Sequence, residues 1–134
     1  MLDNFTFHHI GYAVNDIAVT AQYYTKAGWQ LSDIYSDTIQ NSQIAFLTKD
    51  GFPLIELVAA VDELSPVVNT LKKNGVCPYH ICYQVDDIEE AIAQMKRQKY
   101  LPLFKPVPAV ALENRLICYL YNKDIGLIEL LNKS

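Results

Sequence analysis

Cysteine is scarce and poorly placed for any paired role. The 134 residues hold three, Cys77, Cys82 and Cys118, an odd number with no Cys-x-x-Cys spacing, which argues against a disulfide framework, a zinc ribbon or a dithiol redox motif. They read as reduced thiols serving as small core residues. Basic charge is equally short of pattern: 11 Lys and Arg against 15 Asp and Glu leave a net charge of −4, with no Lys/Arg-rich run or stripe. Nucleic acid is therefore not an expected partner. No apolar stretch is long enough to span a bilayer, and Met1-Leu2-Asp3-Asn4 is acidic, without the basic n-region of a secretory leader. A cytoplasmic location is expected, with no membrane partner. What the chain has in quantity is apolar residue, 51% of its composition. That is enough for residues 1–134 to form a single compact domain that needs neither disulfides nor a structural metal to fold.

The chain also says one thing twice. His9-Ile10-Gly11-Tyr12-Ala13-Val14-Asn15-Asp16-Ile17 returns as His80-Ile81-Cys82-Tyr83-Gln84-Val85-Asp86-Asp87-Ile88, and Leu54-Ile55-Glu56-Leu57 returns as Leu127-Ile128-Glu129-Leu130. The separations, 71 positions from His9 to His80 and 73 from Glu56 to Glu129, are nearly equal. Two copies are too few for a solenoid, so the repeat is a duplicated half-domain with approximate two-fold symmetry. Each half carries one His and one Glu.

Local signals give each half the same order of elements. His9 to Val14 alternates as a strand, with His9, Gly11 and Ala13 on one face and Ile10, Tyr12 and Val14 on the other. His80, Cys82 and Gln84 hold the equivalent face in the second copy, which leaves Tyr12 and Tyr83 under the helices. Asp16 and Asp87 are helix N-caps, the second in capping-box spacing with Glu90. Ile17, Ala21 and Tyr24 form an apolar helical stripe stopped at Gly28, and Ile88, Ala91, Ile92 and Met95 form its counterpart. Leu31–Tyr35, Gln43–Thr48 and Leu54–Val58 read as strands, with Lys49-Asp50-Gly51 turning between the last two; Leu101–Phe104, Leu116–Leu120 and Gly126–Leu131 repeat them, with Asn122-Lys123-Asp124 as the turn. Ser65 as N-cap, Pro66 at the first helical position and Gly75 past the end mark a linking helix over residues 65–75. Module one covers residues 5–58 and module two residues 78–133, each βαβββ. The class is α+β.

Strand alternation sets Glu56 opposite in facing to Ile55 and Leu57, and Glu129 opposite to Ile128 and Leu130. A carboxylate inside an apolar strand requires a cation or hydrogen-bond donors, because burying the bare charge is costly enough to neutralise it. A single strand His is commonly a satisfied core residue, and a single Glu can meet an Arg. Two His and two Glu in matched positions are better explained as ligands. Imidazole and carboxylate together suit Zn²⁺, Ni²⁺, Co²⁺, Mn²⁺ or Fe²⁺, one ion per site. His8 is excluded from this set, since its copy is Tyr79 and alternation turns it away.

At these residues the chain resembles the vicinal-oxygen-chelate superfamily, which includes glyoxalase I, methylmalonyl-CoA epimerase, extradiol dioxygenases, fosfomycin-modifying enzymes and bleomycin-binding proteins. Phe7-His8-His9-Ile10-Gly11-Tyr12-Ala13-Val14 is similar to that family's opening strand. Tyr79-His80-Ile81-Cys82-Tyr83-Gln84-Val85-Asp86-Asp87-Ile88, with Ser65-Pro66-Val67, resembles the epimerase in particular. The resemblance implies two βαβββ modules in a cupped, mostly antiparallel eight-stranded sheet, with His9, Glu56, His80 and Glu129 as the metal ligands. It also implies an enzyme acting on a small carbonyl compound. A homodimer is the expected assembly.

Four protein ligands on an octahedral ion leave two sites, which disfavours the dioxygenase branch, where two His and one carboxylate leave three. Proton transfer next to a carbonyl remains, by an isomerase or lyase in which Glu129 or Glu56 moves the proton and the metal stabilises an enolate. The alternatives are a small-molecule-sequestering protein of the bleomycin-resistance type and a glyoxalase I-like lactoylglutathione lyase. Gln40, Asn41, Gln43 and Gln84 are candidate substrate-binding residues. The chain departs from the epimerase at Ile39 and Gln40, where that enzyme has a glutamate base, with Asp37 two or three residues away. The epimerase's His-Pro-Lys turn becomes Tyr121-Asn122-Lys123. Glyoxalase I fits no better, because its glutathione-binding arginine has no equivalent in Gly11-Tyr12-Ala13. The reaction expected here is therefore one-base chemistry rather than fast epimerisation of methylmalonyl-CoA.

Overall fold

The computed structural model of the protein describes residues 3–134; the part of the N-terminal reading that rests on Met1 and Leu2 lies outside them. The chain runs β1 (Thr6–Ala13), α1 (Ile17–Lys26), β2 (Gln30–Leu31), β3 (Tyr35–Asp37), β4 (Ser42–Thr48), β5 (Ile55–Ala60), α2 (Val67–Asn74), β6 (Cys77–Val85), α3 (Ile88–Arg97), β7 (Leu101–Pro102), β8 (Val107–Ala109), β9 (Arg115–Asn122) and β10 (Gly126–Asn132). It divides into two compact units, one of His9–Tyr79 and one of His80–Ser134 with the residues up to His8.

In the first unit β5 lies parallel to β1, from Ile10 opposite Ile55 to Ala13 opposite Val58. β4 is antiparallel to β5, and both β2 and β3 pair with β4. The Asp16 carboxylate accepts the Val19 N–H at 3.1 Å and so caps α1. Gly28, at φ +94°, takes a backbone conformation that L side chains rarely adopt and ends that helix. Lys49 Nζ donates to the Ala27 carbonyl at 2.7 Å, placing a cation where the last helical carbonyls lack partners. Ile17 and Ala21 of α1 pack with Val14, Ala45, Leu47, Leu57 and Ala59, and Tyr12 and Trp29 close over them. Alternation then puts His9, Phe46, Glu56 and Val58 on the other side of the sheet. Ser65 does not cap α2 with its side chain. Its hydroxyl accepts from Val61 and Asp62 N–H at 2.8 and 3.2 Å, closing the preceding turn, and Pro66 stands at the cap.

The second unit repeats this plan. β10 is parallel to β6, from Ile81 opposite Ile128 to Val85 opposite Asn132. β9 is antiparallel to β10, and β7 and β8 both pair with β9. Asp87 caps α3 by accepting the Glu90 N–H at 3.2 Å. The Glu90 carboxylate takes the Gln94 amide at 3.2 Å instead of completing a capping box. Ile88, Ala91, Ile92 and Met95 are all buried on the helix, against Val85, Tyr100, Cys118, Leu120, Ile128 and Leu130. Tyr83 packs on this cluster, so Tyr12 and Tyr83 both lie under their helices as strand alternation requires.

Each module holds one strand more than its βαβββ reading, because one strand is cut in two. In the first unit the Ser32 hydroxyl accepts the Phe46 N–H at 2.8 Å in place of a backbone carbonyl, and the ladder lapses until Tyr35. In the second, the stretch Leu101–Phe104 keeps ladder pairing only over Leu101–Pro102, and pairing resumes at Val107–Ala109. Pro102, Pro106 and Pro108 have no N–H to donate there. A 3-10 turn over Val110–Leu112 follows, and Glu113 and Asn114, at φ +59° and +60°, swing the chain into β9. The result is a mixed α+β fold in which the ten strands of the described residues are mostly antiparallel.

Candidate functional site

The parallel ladders fix the His and Glu side chains in the same way in both units. Gly11 stands opposite Glu56 and Cys82 opposite Glu129, so each Glu lies diagonal to the His two residues earlier on the neighbouring strand, on the same face. In the first unit His9 Nε2 is 3.5 Å from Glu56 Oε1, and the His9 ring meets Phe46 edge-on with centroids 5.8 Å apart. In the second, His80 Nε2 is 3.3 Å from Glu129 Oε1, and the ring lies 5.2 Å from that of Tyr119. All four are buried, with exposures of 0%, 2%, 3% and 2% for His9, Glu56, His80 and Glu129.

The donor chemistry of each pair fits a divalent ion. Two ligand atoms bonded at about 2.1 Å to one ion stand roughly 3.0 Å apart at an octahedral angle and roughly 3.4 Å apart at a tetrahedral one. The pair distances of 3.5 and 3.3 Å are of that size, and longer than the roughly 2.7–2.9 Å of a charge-assisted hydrogen bond. Imidazole nitrogen with carboxylate oxygen is also the mixture that borderline divalent metals favour.

The remaining candidates fall into two groups. Gln40 donates to Asp37 twice, from its backbone N–H to Oδ1 at 2.9 Å and from Nε2 to Oδ2 at 2.7 Å, and Asn41 donates to Asp62 Oδ1 at 2.9 Å. Both sit in the turn between β3 and β4, where Asn41 has φ +50°. Gln43 is exposed and by alternation shares the face of Ala45 and Leu47, which packs under α1. Asp37 is buried and stands opposite Ser42 on β4, on the face that carries Phe46. Ile39 is exposed. Gln84 is on the His80 face, and its Oε1 accepts from Arg115 Nη2 at 2.6 Å.

Arg115 is absent from the sequence reading because a lone cation at the start of a strand looks like solvated rim. Its signal was parity: Arg115, Ile117 and Tyr119 alternate onto one face, and Tyr119 touches His80. Cys118 faces the other way, where burial pushes its thiol up to about 11. It is a neutral core group at physiological pH.

With this geometry in place, likeness to known proteins decides the family. The sequence profile of the Glyoxalase/Bleomycin resistance protein/Dioxygenase superfamily matches residues 8–119. The chain belongs to that superfamily. An ethylmalonyl-CoA/methylmalonyl-CoA epimerase of Cereibacter sphaeroides is 30% identical over 129 residues, covering 92% of this chain and 94% of the relative. The human mitochondrial methylmalonyl-CoA epimerase is 28% identical over 127 residues, 92% of this chain and 71% of its own. Among solved structures, the methylmalonyl-CoA epimerase of Mycobacterium tuberculosis superposes with a TM-score of 0.85 at 25% identity, covering 100% of this chain and 93% of the other. A Streptomyces coelicolor methylmalonyl-CoA epimerase in complex with 2-nitronate-propionyl-CoA gives 0.83 at 26% identity, over 98% and 99%. Within the superfamily, then, these similarities run to epimerases. No helix among the described residues is long and apolar enough to cross a membrane.

Proposed function

We propose that the protein is a divalent-metal-dependent isomerase or lyase that moves a proton next to a carbonyl, with His9, Glu56, His80 and Glu129 as one ligand set. The observation that carries the reading is the repeated buried His–Glu pair at 3.5 and 3.3 Å. The epimerase relatives favour a CoA thioester as substrate. A nitronate is a planar delocalised anion like an enolate, so the Streptomyces coelicolor complex supports an enolate-like intermediate.

When bound, the ion would polarise the carbonyl oxygen and stabilise the charge left by the departing α-proton. The chain's own residues do the rest. His9 and His80, packed edge-on and tilted against Phe46 and Tyr119, are held in fixed orientations. A carboxylate, Glu129 or Glu56, takes the α-proton and returns it. The buried faces around these pairs exclude water from the carbanion. Epimerisation would need a second base on the opposite face of the planar intermediate, and neither Ile39 nor Gln40 can accept a proton. Exchange with return to the same face is the expected outcome.

The test is methylmalonyl-CoA in D₂O with metal-loaded protein, followed by mass spectrometry and chiral analysis. Deuterium should enter the α-carbon faster than the configuration inverts, and Glu129→Gln should slow exchange by roughly 10²–10⁴-fold. No deuterium entry into this thioester or propionyl-CoA would remove the reading. Fast inversion abolished by Asp37→Asn would instead make the aspartate at the end of β3 the second base.

A further inference from the structure

We propose that Arg115, oriented by Gln84, binds an oxyanion of the substrate, a carboxylate or a phosphate, on the sheet face that carries His80 and Glu129. This rests on the reading of that face as the reactive one.

The guanidinium donates from Nε to the Asn132 carbonyl at 2.9 Å and from Nη2 to Gln84 Oε1 at 2.6 Å. A guanidinium has five N–H donors, so three remain. Both partners are neutral, and Arg115 enters no ion pair among the described residues. The group is half-buried, where an uncompensated charge is poorly solvated and gains most from an anion. An acidic residue at position 84 would have cancelled that charge. Glutamine fixes the planar fork and leaves the charge available.

Location makes the arrangement more than a strand clamp. On β6, His80, Cys82 and Gln84 alternate onto one face; on β9, Arg115, Ile117 and Tyr119 do the same, and the Gln84–Arg115 and His80–Tyr119 contacts join the two rows. The opposite face is occupied by the α3 core. Gln84 is four residues from His80, roughly 13 Å of strand rise. The guanidinium therefore addresses a group several bonds from the reacting carbonyl. Nor does the fold require the pair. The duplicated first unit builds the same ladder with Ser42 where the second has Arg115 and Ala13 where it has Gln84. The two units differ here in chemistry, not in backbone plan.

Calorimetric titration of three probes, methylmalonyl-CoA, propionyl-CoA and propionyl-pantetheine, tests the proposal without relying on turnover. Arg115→Met should weaken binding of an anionic probe by roughly 10- to 100-fold, the scale of lost charge-assisted hydrogen bonds. Arg115→Lys, which keeps the charge and spares the fold, should recover part of it, and Gln84→Leu should cost less than Arg115→Met. A loss confined to methylmalonyl-CoA assigns the acyl carboxylate. A loss for both CoA esters with propionyl-pantetheine unchanged assigns a CoA phosphate. Affinities for all three probes that match wild type in Arg115→Met and Arg115→Lys overturn the proposal, even with exchange activity intact. Missing α-exchange with these binding differences present would fault the proposed reaction and leave the anion site standing. Wild-type protein that binds no probe overturns both.

Discussion

Loading with a divalent ion is expected to raise the melting temperature by about 10 °C. The four proposed ligands are buried within the fold, at exposures of 0–3%, so binding is not expected to be diverted into folding the chain. At an ion concentration about 100 times Kd, linkage adds about 2.7 kcal/mol to the folded state. With an unfolding entropy near ~2.1 cal/mol/K per residue, a chain of 134 residues changes stability by about 0.28 kcal/mol per degree, which converts the linkage into the ~10 °C shift. His80→Ala removes one of the four proposed ligands. If affinity falls about 100-fold, the same ion concentration adds only about 0.4 kcal/mol and the shift shrinks to ~1–2 °C. The truncation itself lowers the baseline, so the quantity to compare is the shift within each variant. Differential scanning calorimetry with Zn²⁺, Ni²⁺, Co²⁺ and Mn²⁺ against chelator, paired with elemental analysis of protein purified without chelator, measures it. A His9→Ala/His80→Ala double variant that keeps a ~10 °C shift and full occupancy would refute the ligand assignment.

Two further outcomes follow from the core. Met95 is fully buried between α3 and the strands of the second unit, so Met95→Ala should cost about 2–5 kcal/mol in urea unfolding, with the denaturant slope unchanged. A midpoint near wild type would mean that α3 packs elsewhere. Burial pushes the Cys118 thiol up to about 11, above its unfolded value. The protonated thiol is therefore the form that folding favours: this contribution is complete below about pH 9 and is lost between about pH 9 and 11, by roughly 2–3 kcal/mol. Comparing wild type with Cys118→Ala across that range should show the steeper decline in wild type, and rapid alkylation of Cys118 by iodoacetamide at pH 8 in the folded protein would contradict its burial.

Strand phase was legible because burial here is two-sided and alternation leaves little choice: His9 and Glu56, and equally His80 and Glu129, could not join the helix-facing rows without exposing Tyr12, Leu57, Tyr83 and Leu130. Helix ends were legible where a side chain or glycine does the capping, as at Asp16, Asp87 and Gly28. Ser65 misled because its hydroxyl had a nearer pair of donors in the preceding turn. The split of the short strands was hidden for a related reason, since a side-chain hydroxyl replacing a carbonyl at Ser32 leaves no trace in a hydrophobic pattern. Arg115 and Gln84 are 31 positions apart in sequence and meet only through two intervening ladder pairings. No local window contains that information.

The His–Glu pairs hang on ladder backbone. Ile10 N–H bonds to Leu54 O at 3.1 Å and Val14 N–H to Val58 O at 2.9 Å, on either side of Glu56, and Lys133 N–H bonds to Val85 O at 2.9 Å beyond the second pair. The segments at the strand ends are of another kind, built on left-handed turns at Asn41, Glu113 and Asn114. Strand register and turn geometry are thus carried by mechanically separate parts. Residues 38–41 and 110–114 lie outside the paired strands, so they can be varied while the His and Glu side chains stay in register, much as one changes the grip of a tool without touching its hinge. The same separation sets a limit on such engineering, because any change that slips β5 or β10 by one residue turns its glutamate to the helix side and leaves its histidine without the paired carboxylate.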